Sequence, residues 1–121
     1  MPKTVVVFYA ERNVAPFLDW LDVQSKAVQD KLVARIRLLA DKRHDLRRPH
    51  ADILRDGIHE LRITSKRVNY RVLYFYQGST AVISHGCTKE RTVPPREIRR
   101  AAEHKRRFAT DPEAHTHREE R

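Results

Sequence analysis

Three positively charged side chains lie in or just after stretches of sequence that have the composition of β-strands. Arg62 and Arg71 fall inside hydrophobic runs, and Lys89 follows the end of a third run. Because an arginine inside a strand loses hydration unless an anion compensates it, three such cations on neighbouring strands indicate a site built for phosphate. In a chain with a net charge of +9, the most obvious phosphate is that of a nucleic-acid backbone.

If these three cations converge, the reaction that they suit is phosphoryl transfer on RNA without a metal ion. The 2′-hydroxyl group attacks the adjacent phosphorus, and preorganised guanidinium and ammonium groups stabilise the charge that builds on the phosphate oxygens. A general base and a general acid would move the protons, and the nearest titratable side chains are Glu60, His59 and His85. The spacing of these side chains does not select a pair from among them.

The sequence does not predict a metal or cofactor site. No cluster of carboxylates at metal-binding spacing occurs near the three cations, which disfavours a two-metal nuclease. Cys87 is the only cysteine, which excludes an intrachain disulfide and a multi-cysteine zinc site. Three glycines in the whole chain leave no room for a Gly-rich phosphate loop. We therefore expect neither a metal ion nor an organic cofactor.

The length and composition of the chain restrict its class. The 121 residues are 40% hydrophobic, which is enough for one domain with a modest core and argues against wholesale disorder. No apolar run approaches the roughly 18 residues needed to span a bilayer, and the N-terminal segment lacks a secretory cleavage pattern. We therefore expect a cytoplasmic protein that has no membrane partner.

Hydrophobic periodicity predicts the elements that must position the cations. In chain order these are a strand at 4–9, helices from Pro16 and from Ser25, strands at 58–64, 68–77 and 80–85, and a helix at 96–108. Short turns between the last three strands predict an antiparallel meander, and the charged segment 41–54 is expected to be a connector. We expect one domain at 1–109 and a charged, disordered tail at 110–121.

The predicted fold class is α+β, with a small, twisted, mainly antiparallel sheet. Two N-terminal helices should pack on one face of this sheet, and the other face should be open and basic. A C-terminal helix should follow the last strand. If Leu61 and Ile63 face the two helices, then Glu60 and Arg62 point to the open side. The alternation is ambiguous around Arg71, because both faces of that strand are apolar and a bulge could change the register.

An ordered set of short motifs runs through these elements. It consists of Glu60-Leu61-Arg62, Tyr70-Arg71-Val72-Leu73-Tyr74, His85-Gly86-Cys87, Lys89-Glu90 and Pro94-Pro95. In these motifs the chain resembles the RelE/ParE superfamily of bacterial toxins, most closely its HigB-like, phage-derived branch, over roughly residues 5–108. The chain departs from the usual pattern of that branch at Cys87, Glu90 and Pro94, where Phe, Lys and Thr are common.

The resemblance implies an mRNA interferase, which is the endoribonuclease toxin of a type II toxin–antitoxin system and cleaves translated mRNA, usually in the ribosomal A site. It also implies a cognate antitoxin, which in this branch is commonly a helix-turn-helix protein. The positions that match the catalytic and RNA-contacting cations of the family are Arg62, Arg71 and Lys89, with Glu60 and His85 as further catalytic candidates. The predicted nucleic-acid contacts are Lys66, Arg67, Arg91 and Arg96.

Two other functions fit the same residues. A ParE-like inhibitor of DNA gyrase would share the fold without cutting RNA, and a non-catalytic nucleic-acid-binding module would use its basic surface alone. The cations Arg62, Arg71 and Lys89 favour the nuclease. Loss of cleavage with retained binding would identify a nuclease, whereas a simple binder would lose affinity gradually with each phosphate contact.

Overall fold

A five-stranded mixed sheet forms the centre of the fold in the computed structural model, which describes residues 4–89 and 91–118. The elements are β1 (Val6–Phe8), α1 (Pro16–Asp22), α2 (Lys26–Lys42), a 3-10 helix (Arg43–Asp45), β2 (Ala51–Ile53), β3 (His59–Ser65), β4 (Val68–Gln77), β5 (Thr80–Lys89) and α3 (Pro95–Thr110). The strand order is β1-β5-β4-β3-β2, with β1 parallel to β5 and the other pairs antiparallel. The predicted α+β class is confirmed. Glu90 lies outside the described residues.

The first face of the sheet is covered by α1 and α2. α1 has a proline at its first turn, and the Ser25 hydroxyl caps α2 by accepting a hydrogen bond from the amide of Val28. Val28, Leu32 and Leu39 follow one another at helical spacing and are buried. They share one hydrophobic cluster with inward-facing residues of the sheet, namely Leu61, Ile63, Val72, Tyr74 and Ile83.

The second face of the sheet is covered by α3, which corrects the expectation of an open face. Ile98, Ala101 and Phe108 of α3 pack in one cluster with Leu73 and Phe75 of β4. The physical reason is that β4 is apolar on both faces, so a single layer of helices would leave half of its side chains in water. None of the described helices is both long and apolar enough to cross a bilayer.

The segment predicted as a connector contains the short edge strand β2. Asp52 of β2 lies opposite Glu60 of β3 in an antiparallel register. Charged residues on both sides of β2 hide the alternation by which a strand is recognised, and pairing with β3 supplies the stability that propensity does not.

A β-bulge interrupts the pairing of β4 with β5. Leu73 lies opposite His85, whereas the next residue, Tyr74, lies opposite Ile83, so Ser84 is the extra residue. The bulge directs both Ser84 and His85 to the side of α3, because an inserted residue breaks the alternation of faces. β5 also continues to Lys89, beyond the end predicted at residue 85.

The described part of the C-terminal segment, through residue 118, differs from the disordered tail that the composition predicts. Tyr9 forms an isolated bridge with Thr116, and the amide of His117 donates to the carbonyl of Phe8 at 2.8 Å. Backbone hydrogen bonds to the end of β1 therefore order a segment whose side chains are polar. Such backbone pairing does not depend on side-chain type, so the composition of the segment does not predict it.

Replacement of Gly86 by alanine is expected to destabilise the fold. A Cβ atom at residue 86 would overlap the ring of Trp20, which packs against the Gly86 backbone. We expect Gly86→Ala to lower the free energy of unfolding by about 1–3 kcal/mol, as is usual for overpacking, when measured by urea denaturation.

A Trp20→Leu background separates this clash from a general effect of the substitution. Most of the Gly86→Ala penalty should disappear in that background, and an undiminished penalty would contradict the close approach of Trp20. The matched variant Gly78→Ala lies in a turn with open space and a φ of 59°, where only backbone strain is added.

Candidate functional site

The three predicted cations meet at one fully buried carboxylate, that of Glu60. Its Oε1 atom lies 2.8 Å from Nε of Arg62 and 3.5 Å from Nζ of Lys89. Its Oε2 atom lies 3.5 Å from Nε of Arg71. The structure therefore brings together four of the five residues that the sequence predicts to be catalytic, and we refer to Glu60, Arg62, Arg71 and Lys89 as the charge cluster.

The alternation of side chains on three neighbouring strands creates the charge cluster. Leu61 and Ile63 point into the first hydrophobic cluster, so Glu60 and Arg62 point to the face that carries α3. Arg71 lies directly opposite Arg62 in the register of β3 and β4. Two like charges in direct opposition repel each other, and the Glu60 carboxylate between them offsets that repulsion.

Burial distinguishes the cations of the charge cluster from ordinary surface charges. The side chains of Arg71 and Lys89 are 10% and 9% exposed, whereas that of Arg62 is 26% exposed. Burial lowers the pKa of Arg71 from its usual value, and the Glu60 carboxylate opposes that shift. Arg71 remains protonated at neutral pH because the unperturbed guanidinium pKa is so high.

The contact between Arg71 and Glu60 lacks hydrogen-bond geometry. Within the described chain, Nε of Arg71 and Oε2 of Glu60 are both buried without a hydrogen-bond partner. The Nη1 atom of Arg71 instead donates to the carbonyl of Tyr70 at 3.0 Å. Arg71 therefore retains an unused N–H donor, from which a phosphate oxygen could accept a hydrogen bond after a small rearrangement.

Asp52 extends the charge cluster across β2. Its Oδ2 atom lies 3.0 Å from Nη2 of Arg62 and 2.8 Å from Nη2 of Arg48. The hydrogen bond from Arg48 is the main reason that the pKa of Asp52 lies below its usual value. Sequence reasoning missed Asp52, since no pattern in the charged segment 41–54 indicates a strand.

Two clefts open beside the charge cluster. The first, which we call the cationic cleft, has a volume of about 430 Å³, and its lining includes Glu60, Arg62, Lys89, Arg91 and Ile98. The second has a volume of about 560 Å³, and its lining includes Arg67, Asn69 and Lys89. Lys89 therefore contacts both clefts, and a nucleic-acid backbone could lie along either one.

The predicted nucleic-acid contacts divide into two groups. Arg91 lines the cationic cleft and Arg67 lines the second cleft. Lys66 lies in the β3–β4 turn and Arg96 in the first turn of α3, and both are exposed. In the described part of the chain, neither Lys66 nor Arg96 lines these two clefts.

His85, the fifth predicted catalytic residue, belongs to a buried network that sequence reasoning missed. The Ser84 hydroxyl lies 2.8 Å from Nδ1 of His85 and 2.7 Å from Nδ1 of His104 in α3. Because a hydroxyl group has one proton, one of these Nδ1 atoms accepts a hydrogen bond from Ser84 and the other donates to it. Nε2 of His85 lies 3.4 Å from Oε1 of Glu97 but has no hydrogen-bond partner within the described residues.

Burial keeps both imidazoles of this network neutral. Together with a smaller contribution from the nearby Arg100, it lowers the pKa of His85 to about 3 and that of His104 to about 4. His85 is 1% exposed, so the geometry favours a structural role over direct contact with a substrate. The sequence gives no indication of this network, because the bulge that turns Ser84 towards His104 has no signature of its own.

The carboxylate of Glu60 is better placed to position cations than to remove a proton. It is fully buried, and its two oxygens face three cations. Among residues 4–89 and 91–118, no group of three or more His, Cys, Asp and Glu side chains could hold a metal ion.

Most of the chain matches a known protein family. Residues 19–106 match the model of a family described as phage-derived protein Gp49-like. The matched range covers more than half of the chain and contains the whole charge cluster. No curated protein matches the chain.

Acidification is expected to destabilise the protein through His85 and His104. Their folded-state pKa values lie below the ordinary value of 6.5, so unfolding takes up protons. This contribution to stability is complete above about pH 6.5 and is lost as the pH falls towards the folded-state values. At about pH 5, the expected loss is roughly 2 kcal/mol for each imidazole, measured by urea denaturation against a reference at about pH 7.

The variant His104→Gln tests the source of this pH dependence. It retains a side chain that can bond to Ser84 but does not titrate, so the loss between the two pH values should fall by about half. A pH dependence as steep as that of the unmodified chain would show that other groups are responsible.

Replacement of Glu60 by glutamine is expected to lower the free energy of unfolding by roughly 3–5 kcal/mol, because it leaves buried cations without their carboxylate. Urea denaturation measures the loss. The matched control is Asp30→Asn, which removes an exposed ion pair with Lys26 and should cost less than about 1 kcal/mol. Equal small effects of both substitutions would contradict the central role of Glu60.

Proposed function

The chain belongs to the family of phage-derived, Gp49-like proteins, a toxin-like family of the RelE type, and on this premise we propose that it is the toxin of a type II toxin–antitoxin pair. We further propose that this toxin is a ribosome-dependent endoribonuclease of the HigB-like kind. In this proposal it cleaves translated mRNA without a metal ion, and its cognate antitoxin is a helix-turn-helix protein.

The observation that carries the proposal is the charge cluster beside the cationic cleft. Arg62, Arg71 and Lys89 place three cations around one carboxylate, so the cluster has an excess of positive charge at the wall of an open cleft. A chain with a net charge of +9 attracts nucleic acid, and this excess favours a phosphate at that wall.

The proposed reaction uses the RNA itself as the nucleophile. The 2′-hydroxyl gives its proton to a base, and its oxygen forms a bond to the adjacent phosphorus while the bond from phosphorus to the 5′-oxygen breaks. The 5′-oxygen takes a proton from an acid, which gives a cyclic phosphate and a 5′-hydroxyl end. Negative charge increases on the phosphate oxygens in the transition state. Arg62 and Lys89 line the cleft and stabilise that charge, and the unused Nε donor of Arg71 adds to their effect.

Glu60 contributes to this reaction by holding the cations. An arginine or lysine side chain has many rotamers, and fixing it costs conformational entropy. Ion pairs with the buried carboxylate already fix the cationic side chains in the folded state, so this entropy is lost on folding. The cations therefore need no reorganisation when charge develops on the substrate. Glu60 is therefore proposed as a positioning residue.

The partners follow from the same surface. A ribosome supplies the A site that presents mRNA, and its RNA would contact the exposed basic residues Lys66, Arg67 and Arg96. The antitoxin would neutralise the toxin by covering the cationic cleft or by binding elsewhere on the basic surface.

A specific observation keeps the non-cleaving functions as alternatives. Arg71 and Lys89 are about nine-tenths buried and paired with Glu60, as expected for cations with a purely structural role. A ParE-like gyrase inhibitor or a basic binding module would need only the exposed charges. The nuclease requires Arg71 for RNA cleavage, whereas the two alternative functions involve no cleavage of RNA.

The variant Arg71→Ala is expected to abolish cleavage while ribosome binding largely survives. Removal of one preorganised donor to a developing oxyanion typically lowers the rate by about 10²–10³-fold. The measurement is a map of transcript 5′ ends within minutes of induction, with new ends inside translated regions for the unmodified toxin only. The matched control, Arg99→Ala, changes an exposed arginine of α3 and should cleave normally.

Three outcomes distinguish the functions. Growth arrest with intact transcripts and damaged DNA would replace the nuclease by a gyrase inhibitor. Parallel loss of binding and activity in Arg71→Ala would indicate a simple binder. Cleavage unaffected by Arg71→Ala would remove the charge cluster from the mechanism.

A further inference from the structure

Another pocket, distinct from the two clefts described above, lies on the opposite side of β2 from the cationic cleft. It has a volume of about 470 Å³ and lies where α2 and the 3-10 helix end beside the first face of the sheet. We call it the arginine–tyrosine pocket after its characteristic lining residues, which are Arg43, Arg47, Arg48, His59, Tyr74 and Tyr76. Its volume lies in the range that is usual for sites that bind one small ligand.

Aromatic rings form one wall of this pocket. The rings of His59 and Tyr74 stack at a centroid distance of 5.2 Å, and the ring of Tyr76 lies perpendicular to that of His59 at 5.3 Å. Leu46 and Ala51 complete the apolar lining. A flat ring can stack in such a corner, whereas an aliphatic ligand gains less there.

Guanidinium groups surround the aromatic wall. Arg43, Arg47 and Arg48 contribute three positive charges, and Asp52 is the one carboxylate in the lining that the structure describes. Asp52 is already paired with Arg48 and Arg62. Nε of Arg43 is buried without a hydrogen-bond partner in the described chain, so this guanidinium has a donor available for an anion.

The pocket is connected to the charge cluster through β2. Asp52 bridges Arg48, which lines the pocket, and Arg62, which lines the cationic cleft. Ile53 lines both cavities and is 60% exposed. It therefore presents an exposed apolar surface between the two cavities. A single RNA strand that crosses β2 would therefore place one nucleotide in the pocket and a neighbouring phosphate at the charge cluster.

We infer that the arginine–tyrosine pocket binds one nucleotide of single-stranded RNA, with the base against the rings of His59 and Tyr76 and the phosphate on the guanidinium groups. This inference rests on the proposed function, since it assigns the pocket to the RNA that the charge cluster cleaves. Neither half of the lining suffices alone: cations would hold any phosphate, and rings would hold any flat molecule. Their combination selects a nucleotide, and the shape of the aromatic corner sets a preference among bases.

Binding of the four ribonucleoside 5′-monophosphates, each compared with inorganic phosphate, tests the pocket directly. Amide chemical shifts of the 121-residue chain locate the bound molecule, and titration gives its Kd. We expect at least one nucleotide to bind about tenfold more tightly than inorganic phosphate, with shifts centred on residues 43–53, because stacking adds to the phosphate contacts.

Two variants separate the contributions of charge and ring. Arg47→Glu changes an exposed side chain, so it should fold normally and weaken both nucleotide and phosphate binding by about tenfold or more. Tyr76→Leu should weaken nucleotide binding and leave phosphate binding unchanged. Arg99→Ala, on α3, is the control and should bind like the unmodified chain.

The results distinguish this inference from the proposed function. A changed base preference at a fixed distance from the cleavage site in Tyr76→Leu would support the pocket, and an unchanged preference would overturn it even if cleavage persists. Nucleotide binding at the pocket in a chain that cleaves no RNA would overturn the nuclease alone. Phosphate binding as tight as nucleotide binding, or shifts confined to other regions, would overturn the nucleotide assignment.

Discussion

The interaction on which the site depends is the pairing of one buried carboxylate with three cations. Glu60 has no exposed surface, and without it Arg62 and Arg71 would oppose each other on adjacent strands. Such an arrangement is costly to desolvate, so it contributes less to stability than to the placement of charge. Excess positive charge at the wall of the cationic cleft is the functional consequence, and the hypothesis of phosphate chemistry rests on it.

A sheet that is apolar on both faces provides the framework for that site. α1 and α2 cover one face, and α3 covers the other, so the cations occupy the margin where α3 begins instead of a broad open surface. The bulge at Ser84 adds a polar network under α3, in which two neutral histidines share one hydroxyl. Burial lowers the pKa of both histidines and keeps them neutral, whereas Arg62 and Lys89 reach the lining of the cationic cleft.

The three-residue strand β2 lies between the two cavities of the proposed RNA-binding surface. It separates the cationic cleft from the arginine–tyrosine pocket, and its Asp52 connects the arginines of the two sites. Membership of a phage-derived, toxin-like family implies an antitoxin partner in general. Two adjoining sites on one strand edge would let a partner block both at once.

Residue types and their order along the chain were sufficient for the three α-helices, for the strands β1, β3, β4 and β5, and for the α+β class. They also identified Arg62, Arg71 and Lys89 as candidate cations, but the meeting of these cations at Glu60 depended on the strand register. The elements follow from local periodicity and from the alternation of side chains along a strand, which are properties of a short segment by itself. The covering of the second face, the strand β2, the Ser84 bulge and the depth of His85 required the tertiary structure. They depend on which segments meet, since pairing and burial are supplied by residues distant in sequence and leave no local pattern.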